Sequence, residues 1–406
     1  MLRFIHLVVL FLAPAWAAAS DLSLSIAQRD LTHPANAGAR EPSLFSSEGS
    51  SLLMSWLEPG DQGFEVRMSV YDGVRWSKVS TVSGGENLFI NWADYPSIAR
   101  TDDEVIAVHW LQTNARGAYS YNVSIALSAD DGGSWSAPFI PHDDVSAAQH
   151  GFATMIPVAG EGLAMVWLDG RASDNEPTDE DPLADAMQLR ATFISPEGER
   201  SDDVALDLST CSCCQTAATT TEDGALLVAY RDRSANEVRD ISLVRYADGA
   251  WSEPKPLSED GWEISGCPVN GPALASRGSD VVAAWFTAAN DKPAVRVAMS
   301  SDSGISFSAS LRIDDGRPLG RVGAAIVDDG TTLVSWLEHT DDGEALLVCV
   351  VTEKGCGAKM RVAENTVGGS MNFPAIRAAF GGAYLAWTEP QADGSDDIRM
   401  VRLVVN

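Results

Sequence analysis

Basic residues are scarce in this chain: 28 Lys and Arg stand against 57 Asp and Glu in 406 residues, for a formal net charge of −29. Nucleic acids are bound by clustered Lys and Arg that neutralise phosphates, so this balance argues against a nucleic-acid partner. Long apolar runs are absent beyond the N-terminus. A helical span needs about 18 consecutive apolar residues, so no membrane span is expected. Cysteines number only six, yet Cys211, Cys213 and Cys214 fall within four residues, in LSTCSCCQTAA.

What is present begins with MLRFIHLVVLFLAPAWAAAS: one early Arg, a short apolar stretch and small residues at Ala15, Ala17 and Ala19. This reads as a signal peptide over residues 1–19, cut near Ala17 or Ala19. The expected mature chain, residues 20–406, is one domain, periplasmic or secreted. That compartment permits disulfides.

The rest is a repeat. SLLMSWLEP, EVIAVHWLQ, GLAMVWLDG, ALLVAYRDR, DVVAAWFTA, TTLVSWLEH and AYLAWTEP are versions of one apolar strand, each carrying a late aromatic: Trp56, Trp110, Trp167, Tyr230, Trp285, Trp336 and Trp387. The spacings run from 51 to 63 residues. Four of these strands follow EPSL, YPSI, GPAL or FPAI, read as a first strand with Pro at its start. Alternating runs such as FEVRMSV and YNVSIAL supply a third strand, and WSKVSTV or WSAPFIP a fourth.

Four short strands per unit predict an all-β fold, a seven-bladed β-propeller of four-stranded blades, with six blades the alternative count. The last unit stops at its third strand, IRMVRLVVN. DLSLSIAQRDL near the N-terminus belongs to no unit of its own, so residues 21–31 are expected to complete the final blade and remove its open edge.

SADDGGSW (Ser128 to Trp135) fits S-x-D-x-G-x-x-W, and SSDSGISF (Ser300 to Phe307) fits it with Phe in the aromatic place. YDGVRW and YADGAW are shortened versions. On these motifs the chain resembles the sialidase-like Asp-box, or BNR-repeat, propellers. The resemblance implies a structural role for the boxes, in which Asp closes the turn through backbone N–H groups. It also implies an alternative function as an exo-α-sialidase-like glycoside hydrolase, in which arginines hold a substrate carboxylate. The candidates on that reading are Arg40 in REPSL, Arg231, Arg321 and Asp169.

Aligning the units places the cysteines. Cys213 and Cys214 lead into the fourth blade, and Cys267 in EISGCPVNG leads into the fifth at nearly the same position. In a propeller these leading segments share the face at the channel mouth. Cys211, Cys213, Cys214 and Cys267, with His150 and Met371 from other blades, therefore form a candidate soft-metal set. Thiolate, thioether and imidazole favour Cu(I) or another soft or borderline ion over hard cations. The competing expectation is a disulfide from Cys267 to one of the three clustered cysteines, stapling two blades. Cys349 and Cys356, seven residues apart across a hairpin, are expected to form a local disulfide.

The function expected is an exported binding propeller with a Cys-rich site for copper or another small ligand. The alternatives are the glycosidase and a protein-interaction propeller whose cysteines are all structural.

Overall fold

Residues 24–47, 51–114 and 119–406 are described by a computed structural model. The expected signal peptide lies outside these residues. No helix among them is long and apolar enough to cross a membrane. Seven antiparallel sheets form a β-propeller, with the repeat aromatic on the second strand of every blade.

Blade 1 contains strands Arg40–Ser47, Ser51–Gly60, Gly63–Tyr71 and Ser80–Gly85. Blade 7 contains Ala375–Ala379, Gly382–Pro390 and Asp396–Val405, and its fourth strand is Ile26–Asp30, paired from Ile26 against Val405 to Asp30 against Val401. The N-terminal segment therefore closes the ring, as its lack of a unit of its own predicts, and covers the edge of the last strand. Gln28 extends the closure by donating to the Val362 carbonyl of blade 6.

Two blades depart from the four-strand pattern at their outer edge. Blade 2 has three strands, Ser97–Arg100, Ile106–Thr113 and Tyr121–Ser128, and only Phe139 bridges Ile125 at the fourth place. Pro138 and Pro141 flank Phe139 and have no N–H for a ladder. In blade 4 the outer strand is split into Ala250–Trp251 and Lys255–Pro256, with Pro254 between them. Proline thus accounts for both irregularities at a position where an incomplete ladder meets solvent.

The core lies between blades. Trp56, Trp110, Trp167, Tyr230, Trp285, Trp336 and Trp387 are all at most 2% exposed, and each packs into an apolar cluster shared with a neighbouring blade. The cluster of Leu52, Met54 and Trp56 with Tyr384, Ala386 and Met400 joins blade 1 to blade 7 and seals the ring. Area burial of such side chains contributes about 1.5–3 kcal/mol each.

The turns after the third strands are closed by their Asp side chains. Asp130 accepts from the Ser134 backbone N–H and hydroxyl at 2.8 Å each, and Asp302 does the same with Ser306 at 2.9 and 2.6 Å. The Ser306 and Ser300 bonds hold the Asp302 carboxyl down at about 2. These carboxylates are spent on turn geometry.

Strand register defines the channel mouth. In each blade the residue before the repeat aromatic faces a first-strand residue: Ser43, Ser97, Thr154, Ala217, Ala273, Gly323 and Ala375. Two residues upstream stands a ring of equivalent positions: Glu41, Tyr95, Phe152, Gln215, Gly271, Arg321 and Phe373. Five of them, Tyr95, Phe152, Gln215, Gly271 and Phe373, line the central channel of about 1570 Å³. In blades 1, 3 and 6 a bulge interrupts the ladder here, and Glu41, Phe152 and Arg321 take positive φ of 54°, 50° and 56°. Such backbone is costly for a non-glycine residue and turns its side chain out of the regular alternation.

Candidate functional site

The segment leading into blade 4 follows the strand Val204–Thr210 and is anchored at once, because Cys211 N–H donates to the Arg231 carbonyl at 3.0 Å. Four residues on, Gln215 reaches across the mouth to donate to the Ala93 carbonyl of the blade 2 segment. The blade 5 segment packs directly on it: a Cβ on Gly271 would sit 2.0 Å from the Gln215 carbonyl oxygen. Only glycine permits that approach. Further bonds stitch the remaining segments, from Arg321 N–H to Asn270 Oδ1 at 2.8 Å and from Asn372 to Glu41 at 2.9 Å.

This close docking of blades 4 and 5 brings the cysteines together. Cys213 and Cys267 form a disulfide with Cα atoms 6.0 Å apart, which is the inter-blade staple that competed with a metal site. Two of the four expected thiols are therefore oxidised. Cys211 and Cys214 remain as buried thiols, with Sγ atoms 3.2 Å apart, and Cys211 Sγ lies 3.8 Å from Cys213 Sγ. Burial falls from surface to interior, with Cys267 exposed, Cys213 half-buried, and Cys211 and Cys214 buried.

Arginines surround the thiol pair. Arg239 Nη1 donates to Cys211 Sγ at 3.5 Å while its Nε and Nη2 bond Glu237. The hydrogen bond from Cys214, aided by the Cys213 backbone and the charges of Arg239 and Arg231, brings the Cys211 thiol down to about 6 despite burial. Burial, and next the neighbouring Cys211, push the Cys214 thiol well up. One proton shared between two sulfurs is the natural resting state of such a pair.

The other expected ligands do not join this group. His150 is fully buried and bonds Asp144 through Nε2 at 2.9 Å; its near neighbours are Asp144 and Asp169, not the cysteines. His142 stacks on it at 3.9 Å between ring centroids. Asp169 is fully engaged as an acceptor, from Trp167 Nε1 at 2.8 Å and from the Arg171 backbone and guanidinium. The His150 cluster is therefore an ion-paired brace of blade 3. Met371 is buried in the core shared by blades 6 and 7, and its N–H is bound by Glu344. The physical reason is depth: the unit alignment places residues by sequence frame, whereas each side chain's direction follows from its own bulge and packing.

Nor do the four residues nominated by the sialidase resemblance converge. Arg40 pairs with Asp396 at 3.3 Å and lies over the Phe64 ring. Arg231 is 2% exposed, and its three guanidinium nitrogens donate to the carbonyls of Asn270, Arg239 and Phe286 at 2.6–2.9 Å. It is a fastener between blades 4 and 5, with every guanidinium nitrogen already engaged by backbone. Arg321 stacks between aromatics, 4.8 Å from the Trp92 ring and 4.7 Å from Phe373, with no carboxylate partner among the described residues. Burial lowers its guanidinium to about 10.

The second expected disulfide is present: Cys349 on the third strand of blade 6 joins Cys356 on the fourth. Arg239, by contrast, was not singled out by sequence, because it sits mid-loop in NEVRD with no repeat counterpart. Between the second and third strands of blade 3, the acidic stretch from Asp174 to Ala186 is mainly exposed.

No protein-family profile matches this chain, and no curated protein matches it in sequence. Solved structures do share its fold. The BP39L lectin from Burkholderia pseudomallei superposes with a TM-score of 0.61 at 14% identity, over 89% of this chain and 96% of the lectin. A protein of unknown function from Dyadobacter fermentans has a TM-score of 0.53 at 14% identity, over 95% and 100%. A polysaccharide lyase, an ulvan lyase, has a TM-score of 0.53 at 11% identity, over 91% and 93%. At these identities the likeness is one of fold, and the chain is a seven-bladed β-propeller whose chemistry must be read from its own mouth.

Proposed function

We propose that this protein is an exported binding propeller whose channel mouth takes a soft metal ion, copper(I) above others, on the Cys211 and Cys214 sulfurs. The observation that carries the reading is the 3.2 Å approach of two buried thiols beside Arg239. Thiolates select Cu(I) among biological ions and bind it at low coordination number. Two thiolates and one Cu(I) leave a net charge of minus one, which the surrounding guanidiniums of Arg231 and Arg239 would offset. A hard divalent cation would gain nothing from sulfur ligands and would be repelled by the same arginines.

The test is metal content. Mature protein loaded with Cu(I) under a competing chelator should retain about one equivalent. The Cys211→Ser, Cys214→Ser double variant should retain none. Equal retention by both proteins rules the site out.

A second reading is glycan binding at the rim, favoured by Trp92, 43% exposed and stacked on Phe373 at 5.9 Å between centroids. The lectin in its fold class adds to this. Loss of binding on a glycan array in Trp92→Ala, with the thiols intact, would support it. The glycosidase alternative has less to rest on, because Arg40 and Arg231 are already engaged within the protein.

A further inference from the structure

We infer that the four cysteines of blades 4 and 5 form an internal thiol–disulfide relay, with Cys211 as the pivot that moves a disulfide between the protein surface and the buried pair. This inference rests on sulfur positions alone and concerns the metal-free protein, since a metal on Cys211 and Cys214 would occupy both nucleophiles.

Cys211 Sγ has two sulfur neighbours on different sides of the redox balance. Cys213 Sγ, 3.8 Å away, is already oxidised, and Cys214 Sγ, 3.2 Å away, is a thiol. Exchange requires a thiolate to reach a disulfide sulfur and displace its partner. Cys211, as thiolate, attacks Cys213 Sγ; the Cys211–Cys213 bond forms, the Cys213–Cys267 bond breaks, and Cys267 leaves as a thiolate that takes a proton from water. Cys267 is exposed, so the leaving group is solvated as it forms.

Cys214 then completes the transfer. Its thiolate attacks Cys211 Sγ, the Cys211–Cys214 bond forms, and Cys213 leaves as thiolate and is protonated. Across both steps one disulfide is lost and one gained, two protons pass from Cys211 and Cys214 to Cys213 and Cys267, and no external oxidant or reductant is consumed. The end state has a buried disulfide and two thiols nearer the surface, one of them exposed.

The local fold is suited to holding both isomers. The Cys211 backbone is tied to Arg231, and Gln215 is tied to Ala93 and Gly271, so the ends of the segment are fixed while Ser212 and Cys213 lie between. Without the staple, blades 4 and 5 remain joined by the Arg231 bonds to Asn270 and Phe286.

The experiment uses the full mature protein with a metal chelator throughout, so that metal binding cannot determine the outcome. Protein is incubated at neutral pH without reductant, alkylated under native conditions, denatured, alkylated with a second isotopic label, and its disulfides are mapped by peptide mass spectrometry. The expected result is a mixture containing Cys211–Cys214 or Cys211–Cys213 links together with natively labelled Cys267. Among these four positions Cys211→Ser should contain only the Cys213–Cys267 disulfide, with Cys267 unlabelled. Cys214→Ser should stop at Cys211–Cys213. Unchanged thermal unfolding of the two variants confirms that they are folded. A wild-type sample in which these four cysteines hold only Cys213–Cys267 at all times, or an exchange that persists in Cys211→Ser, overturns the relay.

Discussion

Trp167 donates its indole N–H to Asp169, two residues further along the same strand, at 2.8 Å. Residues i and i+2 share one face of a strand, so a short acidic side chain there meets the indole without leaving the blade. The device recurs as Trp56 with Glu58 at 2.9 Å and Trp336 with Glu338 at 2.8 Å. Trp285, with Thr287 at that position, uses Asp260 instead, and the Tyr230 hydroxyl uses Asp207, because Asp232 two residues on accepts from Ser242. Trp387 has Glu389 two residues on, yet its indole nitrogen has no partner, because Glu389 turns to Arg399.

This contrast makes a stability prediction. Glu338→Ala strands a buried indole N–H and should cost about 1–3 kcal/mol. Glu389→Ala removes only an exposed ion pair and should stay within about 0.5 kcal/mol of wild type. Urea midpoints of the two variants measure the difference, and equal shifts would remove the role assigned to the indole bond.

The disulfides should differ in their contribution. Cys213–Cys267 spans 54 residues and Cys349–Cys356 spans 7. Loop-closure entropy gives about 4 kcal/mol for the first and about 2 kcal/mol for the second. Paired Ala variants of each, unfolded in urea under chelation, should preserve that order.

Two mouth carboxyls set a pH dependence. Burial raises Glu41 from 4.5 to about 8 and Asp94 from 3.8 to about 7, against hydrogen bonds from Asn372 and the Phe152 backbone respectively. The unfolded chain releases these protons first, so the folded state binds more protons within the window. Their stabilisation is therefore complete below the ordinary values and is lost as pH rises to about 8. Tm should fall across that range, and Glu41→Gln, which keeps the acceptor for Asn372, should flatten the slope. A Glu41→Gln slope equal to wild type would show that Glu41 ionises normally.

Ring closure should be essential. Removing residues 20–30 takes away the strand Ile26–Asp30 and bares the ladder edge of Asp396–Val405. An open edge in a sheet protein pairs with other chains. The truncated protein should melt at lower temperature and self-associate, visible together in calorimetry and size-exclusion chromatography. A monomer of unchanged Tm would mean that closure rests on the cores between blades alone.

Much of the fold was legible because it is periodic. Seven copies of an apolar strand ending in an aromatic, each with Asp- or Pro-marked turns, leave few architectures open, and an unmatched strand at one end with a missing strand at the other implies closure. The Cys349–Cys356 pair was readable too, since seven residues across a hairpin keep two strands in contact whatever surrounds them. These are local properties, carried by chain spacing.

The channel mouth was legible only as a list of residues sharing a face. Spacing brought Cys211, Cys213, Cys214, Cys267, His150, Met371 and the arginines to one rim, but tertiary packing decided which of them meet. Gly271 lets two leading segments touch and so joins Cys213 to Cys267; the Asp144 brace turns His150 away; three carbonyls absorb Arg231. The disulfide and the Arg231 bonds to Asn270 and Phe286 join segments 39 to 55 residues apart, and even the His150 brace, to Asp144 six residues away, follows from side-chain direction; sequence periodicity is silent on all of these. The sequence by itself determined the ring and the rim; tertiary structure decided which two sulfurs remain thiols beside Arg239, because that choice follows from angstrom-level packing between segments that are distant along the chain.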